Sequence, residues 1–140
     1  MSAPKLEPGQ SLADCPATKE FRERHEQVAR AAEEHAAQRQ HAKGKGTARE
    51  RIDQLLDNGS FLEVGQFSGS GVGANAKPSG VVTGFGTIDG RQVAVYSQDF
   101  SVQGGSLGSV EGDKIVRLLD DALRLRIPII GLIDSGGAKI

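Results

Sequence analysis

Two glycine-rich segments hold the residues best suited to chemistry: QGGSLG, Gln103 to Gly108, and DSGGAKI, Asp134 to Ile140. Each follows an apolar, strand-like run, and the first leads into a helical pattern. Glycines after a buried strand leave main-chain amides approachable, because no side chain stands in the way. Such amides can point at an anion or a carbonyl oxygen, and at a helix N-terminus the dipole adds to the attraction. The same geometry forms an oxyanion hole or cradles a phosphate. Tight turns need glycine too, so a lone Gly-Gly is weak evidence, and two such loops in one unit are stronger. Neither loop fits the phosphate patterns GxxxxGK[ST] or GxGxxG.

Other reactive side chains make poorer sets. Ser106 and Ser135 lie in the loops, but His25, His35 and His41 all fall in the N-terminal helical stretch, far along the chain. A Ser-His arrangement would require that stretch to fold back. The histidines do not recur at i, i+4 and no acidic partner completes a metal site, so no metal is expected. HAKGKGTARER is basic and suits either a phosphate contact or a solvated helix junction. Cys15 reads as a free thiol in a flexible arm.

Composition narrows the classes. A chain of 140 residues supports one modest domain. Its net charge of −1 gives no bias toward nucleic acid or anionic membrane, and five Phe, one Tyr and no Trp make a poor base-stacking surface. A single cysteine cannot form an internal disulfide, which suits a reducing compartment. No run suits a membrane span, and the first residues lack the apolar stretch of a signal peptide, so the cytoplasm is expected.

The positioning elements can be read from the pattern. Residues 1–17 carry three of the five prolines and no periodicity, as in a disordered arm. Thr18 reads as a cap for a helix over Lys19 to Ala42, within a helical segment 18–43. Its small stripe of Phe21, Val28, Ala31, Ala32 and His35 suits the surface of a larger body. Gly44 and Gly46 break it, Thr47 with Glu50 forms a capping box, and Asn58-Gly59 ends the second helix. Phe61 to Phe67 alternates imperfectly as a strand, and Ser68 to Ser79 reads as a loop. GVVTGFGTIDGRQVAVYSQD is a hairpin about Asp89-Gly90, with Gly84 and Gly86 marking a bulge or close backbone packing. A helix follows over about Ser109 to Arg126, its buried side expected from Ile115, Val116, Leu118, Leu119, Ala122, Leu123 and Leu125. Ile129 to Ile133 is expected as a strand buried on both faces. Strand, glycine loop, helix, strand, glycine loop is an α/β crossover unit.

Three blocks carry a family likeness: GKGTARERIDQLLDNGSFLEVGQF, GVVTGFGTIDGRQVAVYSQDFSVQGGSLG and KIVRLLDDALRLRIPIIGLIDSGGAKI. In order and spacing they resemble the β subunits of acyl-CoA carboxylases, biotin-dependent carboxyltransferases of the propionyl-CoA carboxylase β kind. The likeness runs from about Lys43 to Ile140. It implies an α/β, crotonase-like fold of stacked β-β-α units in two lobes. Residues 44–140 would begin the N lobe, behind the N-terminal helix. Since a full β subunit is several times longer, the chain is expected to be a fragment, inactive alone.

The resemblance implies transfer of CO₂ from carboxybiotin to propionyl-CoA, acetyl-CoA or another short acyl-CoA. Biotin would ride on a separate biotin-carboxylase/carrier α subunit, the β subunits would form a homo-oligomer, a hexamer, and no metal would act in this half-reaction. The family's GGSLG element falls on Gly104, Gly105, Ser106, Leu107 and Gly108, and its DSGGAR element on Asp134 to Lys139. Acyl-CoA binding is thereby implied for Gly104, Gly105, Ser106, Gly136, Gly137 and Ala138, and candidate CoA phosphate contacts are Lys45, Arg49 and Lys139. The oxyanion donors of such enzymes lie largely beyond Ile140, so no catalytic residue is assigned. Two departures stand out: Lys139 where arginine is usual, and Gly46 where leucine is usual. Alternatives are a biotin-dependent decarboxylase subunit, a non-catalytic assembly module, and a Clp-like hydrolase, which would need a Ser/His pair.

Overall fold

The computed structural model describes Ser11, residues 15–70 and residues 77–138. Helix α1 runs Pro16–His41, two residues ahead of the expected cap at Thr18. Pro16 starts it, because a proline's fixed φ suits the first helical turn and its missing N–H costs nothing there. Cys15, immediately before it, is a free thiol but is buried rather than held in a flexible arm. Most of that arm lies outside the described residues. Gly44, at φ +70°, turns the chain out of α1. Helix α2, Ala48–Leu55, then opens on the expected box: Thr47 Oγ1 accepts the Glu50 amide at 3.1 Å and a Glu50 carboxylate oxygen accepts the Thr47 amide at 2.8 Å.

A four-stranded sheet follows in the order β1 (Leu62–Val64), β4 (Val81–Ile88), β5 (Arg91–Gln98), β6 (Ile129–Leu132). The expected strand over 61–67 shrinks to three residues. Part of the expected loop forms a two-residue ladder between β2, Gly69–Ser70, and β3, Lys77–Pro78; residues 71–76 lie outside the described residues. β4 and β5 form the hairpin about Asp89 and Gly90, both at positive φ (49° and 73°), as a type I′ turn requires. A Cβ on Gly84 would sit 2.4 Å from the Leu62 carbonyl oxygen, so the close packing anticipated there lets β1 lie on β4. Helix α3, Ser109–Leu125, then crosses over and returns the chain to β6, parallel to β5.

The sheet is covered on both faces. On the α2 side Ala48, Ile52 and Leu56 pack with Val82, Val93 and Val95. On the α3 side Leu118 and Ala122 pack with Ala94. The expected inward face of α3 is too wide: Val116, Leu119, Leu123 and Leu125 are exposed, and Ile115 is half-buried. The inward stripe at i, i+3 and i, i+4 spacing is instead Glu111, Lys114, Leu118 and Ala122. The apolar arc of this helix is wider than the face the sheet can cover, so composition alone could not choose the buried part of it. The last strand is likewise half-buried at the sheet edge, with Ile133 64% exposed, not enclosed on both faces.

Candidate functional site

Parallel strands joined by a crossover helix leave the sheet at the same end. β5 and β6 are such a pair, in register from Ala94↔Ile129 to Ser97↔Leu132. The loop after each is one of the two glycine segments, so the topology itself brings them together, at the strand ends where α/β folds place their ligands. The contact is main chain on main chain. The Gly136 amide donates to the Gly104 carbonyl at 2.8 Å, the Leu107 amide donates to the Gly137 carbonyl at 3.2 Å, and Leu107 and Ala138 form a parallel bridge.

Glycine is required at the tightest point. Gly105 sits at φ +64°, and a Cβ on it would lie 2.1 Å from the Asp134 carbonyl oxygen. Gly104 shares the left-handed conformation but faces open space. Gly104, Gly105 and Ser106 thus sit beside Gly136, Gly137 and Ala138. The amides of Leu107 and Gly136, the latter among the residues expected to bind acyl-CoA, are engaged between the loops. Ser106 Oγ donates to the Gln103 carbonyl at 2.8 Å, and Ser135 Oγ accepts the Gly137 amide at 3.0 Å. His41 faces the Glu50 carboxylate at 2.9 Å.

The charged candidates separate. Lys45 reaches the loops: its Nζ is 3.0 Å from an Asp134 carboxylate oxygen, and Lys43 and Lys45 each place Nζ 5.0 Å from the Phe100 ring centre. Arg49 does not. Its guanidinium holds Glu63 with two bonds of 2.8 and 3.1 Å and lies 3.6 Å from Glu33. Burial works against the Arg49 charge, but the Glu63 bond and the surrounding carboxylates outweigh it and raise the pKa. A guanidinium so enclosed is occupied by its own carboxylates rather than presented at the loops. Lys139 lies outside the described residues.

Several positioning groups escaped the sequence reading. Gln98, at the end of β5, donates from Nε2 to the Gly105 carbonyl at 3.3 Å and accepts the Asp134 amide on Oε1 at 3.1 Å. Glu111 receives the Gly80 amide at 3.1 Å and the Gly108 amide at 2.9 Å, tying the start of α3 to the start of β4. Lys114 Nζ donates to the Val81 carbonyl at 2.7 Å. Burial, the largest influence on it, lowers its pKa to about 8. A polar residue closing a buried strand was the available signal for Gln98. The cavity beside Arg49, Glu63 and Lys114 holds about 20 Å³, room for a water and not for a substrate. Among the described residues no cluster of three or more His, Cys, Asp or Glu side chains could hold a metal ion. No described helix is long and apolar enough to cross a membrane.

Parallel strands that deliver two glycine loops to one point define a main-chain-built site on an α/β scaffold. Residues 39–140 match the carboxyl transferase domain, and the chain belongs to that family. Relatives include the propionyl-CoA carboxylase beta chain of Saccharopolyspora erythraea, 53% identical over 126 residues, covering 86% of this chain and 23% of that protein. The methylmalonyl-CoA decarboxylase subunit alpha of Veillonella parvula is 48% identical over 113 residues, covering 76% of this chain and 22% of that protein. Among solved structures, a transcarboxylase 12S hexamer assembly with methylmalonyl-coenzyme A and methylmalonic acid bound superposes with a TM-score of 0.74 at 36% identity, over 94% of this chain and 26% of that one. The β subunit of geranyl-CoA carboxylase from P. aeruginosa gives 0.72 at 31% identity, over 89% and 24%. These neighbours are carboxyltransferase domains, and the fold is the crotonase-like α/β kind expected. The chain spans about a quarter of the length of the curated relatives it matches.

Proposed function

We propose that this chain carries acyl-CoA-holding elements of a biotin-dependent carboxyltransferase, with propionyl-CoA, acetyl-CoA or another short acyl-CoA as the carboxyl acceptor. The observation that carries the reading is the seating of Gly104–Ser106 against Gly136–Ala138 at the exit of two parallel strands. The propionyl-CoA carboxylase relatives support it. A wall without side chains lets a thioester come close to the main chain. Lys45, braced by Asp134 and Phe100, places a cation at the rim for a CoA phosphate. Because the Gly136 and Leu107 amides are engaged loop to loop, these residues shape and orient; they hold the thioester in an attackable pose.

Carboxybiotin, carried on a partner α subunit, supplies the carboxyl group when bound; among the described residues no feature assigns its site. A homo-oligomeric assembly, a hexamer like the transcarboxylase 12S core, and a cytoplasmic setting complete the proposal. The same half-reaction run in reverse is a second reading, favoured by the methylmalonyl-CoA decarboxylase relative.

The test is calorimetric titration of propionyl-CoA into the full chain, followed by biotin-dependent carboxylation assays with the partner subunit. Saturable binding is expected, weakened several-fold in Lys45→Ala; carboxylated product is expected from a full-length subunit and not from these 140 residues alone. No saturable binding, or binding indifferent to both Lys45→Ala and Gly105→Ala, overturns the acyl-CoA reading. Turnover of methylmalonyl-CoA without net carboxylation of propionyl-CoA selects the decarboxylase.

A further inference from the structure

Gln98 is the last residue of β5, paired with Val81 of β4 and 2% exposed. Its main chain is anchored twice: the ladder holds it to β4, and its carbonyl accepts Arg51 Nη2 from α2 at 2.5 Å. From this fixed base the side-chain amide reaches both glycine loops. The NH₂ end donates to the Gly105 carbonyl and the oxygen end accepts the Asp134 amide. The orientation is dictated by the partners, since a carbonyl needs a donor and an amide N–H needs an acceptor. Both partners lie where the loops are closest, at the Gly105–Asp134 contact that excludes any Cβ.

We propose that Gln98 is the positioning residue of the two-loop site: it sets the spacing of the glycine loops and so the shape of the main-chain surface they present together, without touching the bound molecule. The consequence for acyl-CoA rests on the function proposed above; the consequence for the loops does not. The position demands one donor and one acceptor in a single planar group. An ionised glutamate offers acceptors only and would face the Gly105 carbonyl with negative charge. A protonated glutamic acid restores one donor and one acceptor. Methionine keeps the volume and offers neither, leaving a buried amide and a buried carbonyl unpaired. The charged groups around the position are Arg51 from α2, Asp99 next in the chain with its carboxylate held by Ser101, and the Asp134–Lys45 pair.

The experiment compares the full chain with Gln98→Met and Gln98→Glu, using amide hydrogen-exchange protection factors at pH 5 and pH 8 with propionyl-CoA titrations alongside. In Gln98→Met, protection at Asp134, Gly136 and Leu107 falls tenfold or more at both pH values, while Val93 and Val95 in the hairpin keep theirs. Gln98→Glu matches the methionine variant at pH 8 and the parent at pH 5, because burial favours the neutral acid. Propionyl-CoA affinity follows the same pattern, and the parent shows no such recovery at low pH. Unchanged loop protection in Gln98→Met overturns the proposal, as does a loss spread equally through the hairpin. So does a Gln98→Glu variant indifferent to pH, a comparison made within one polypeptide and independent of how well the methionine variant folds. If the loops respond as described but the parent binds no propionyl-CoA, the positioning role stands and the acyl-CoA reading falls.

Discussion

Gly105→Ala isolates the contact on which the two-loop site depends. Two costs follow. The residue sits at φ +64°, where an L-residue loses roughly 1–2 kcal/mol relative to its preferred regions. The added Cβ would also stand 2.1 Å from the Asp134 carbonyl oxygen, against a floor near 3.0 Å for real Cβ contacts, so the loops must part by about 1 Å. The Gly136–Gly104 bond of 2.8 Å and the Leu107–Gly137 bond of 3.2 Å cross that seam, and Gln98 bridges it through 3.3 Å to the Gly105 carbonyl and 3.1 Å from the Asp134 amide. Losing two of them at about 1 kcal/mol each brings the total to roughly 3–4 kcal/mol. Gly104→Ala is the internal control. Its φ of +66° imposes the same backbone cost, but its nearest neighbour is a Phe100 ring atom at 4.0 Å, so the total stays near 1–2 kcal/mol. For a domain of this size roughly 4 °C accompanies each kcal/mol, so thermal unfolding should place Gly105→Ala about 8 °C below Gly104→Ala. Equal midpoints would refute the reasoning, because only the backbone conformation would then matter and the seam would carry nothing.

Two further outcomes follow from the buried charges and the hairpin cap. Lys114 has its pKa lowered from 10.5 to about 8 by burial, so between pH 8 and 10.5 the unfolded chain binds more protons than the folded one, and stability rises with pH across that window. Urea midpoints at pH 7.5 and 10 should show the rise, up to roughly 3 kcal/mol by the size of the shift, and Lys114→Met should lack it; a parallel rise in both proteins would remove the lysine as its cause. Asp57 accepts the Thr87 hydroxyl and the Gly90 and Asp89 amides, and its pKa is lowered, first by the Thr87 bond. Its contribution is therefore present above pH 3.8 and lost as pH falls through the lower folded value, so Asp57→Asn should remove part of the acid sensitivity of unfolding, with an unchanged acid profile as the contrary result.

What was legible in the sequence was local and periodic. The Asp89-Gly90 turn, the Thr47–Glu50 box and the crossover from β5 through α3 to β6 each have a signal within a few residues, and each formed as read. What was not legible depended on partners far along the chain. Arg49 looked like a free cation in a basic stretch, and only folding brings Glu63, 14 residues on, and Glu33, 16 residues back, to its guanidinium. α3 carries a wider apolar arc than the sheet can cover, and the choice of its inward stripe fell to Glu111 and Lys114, which bond carbonyls and amides at the starts of β4 and α3. Pro16 signalled the start of α1 and was outweighed by the prolines before it.

The same contrast explains why the site's glycines were easier to find than its supports. A loop that brings backbone against backbone must be glycine wherever a Cβ would intrude, so the chemistry of closeness is written at the loop itself. The spacing between two such loops cannot be written there, because residues without side chains cannot brace one another beyond their own amides. It has to come from a neighbouring rigid element, and β5 is the element whose end lies against both. Gln98 is where that strand stops contributing ladder bonds and begins contributing a side chain, with α2 fixing its carbonyl through Arg51 and α1 leading into the Lys45 turn that closes on Asp134. α2 thereby fixes the strand end from which the first loop springs, and the turn after α1 reaches Asp134 directly, while the apolar core beneath them holds the strands. Rigid strands with side chains at their ends, and loops without side chains beyond them, are one arrangement: the first sets the geometry that the second leaves open for a ligand.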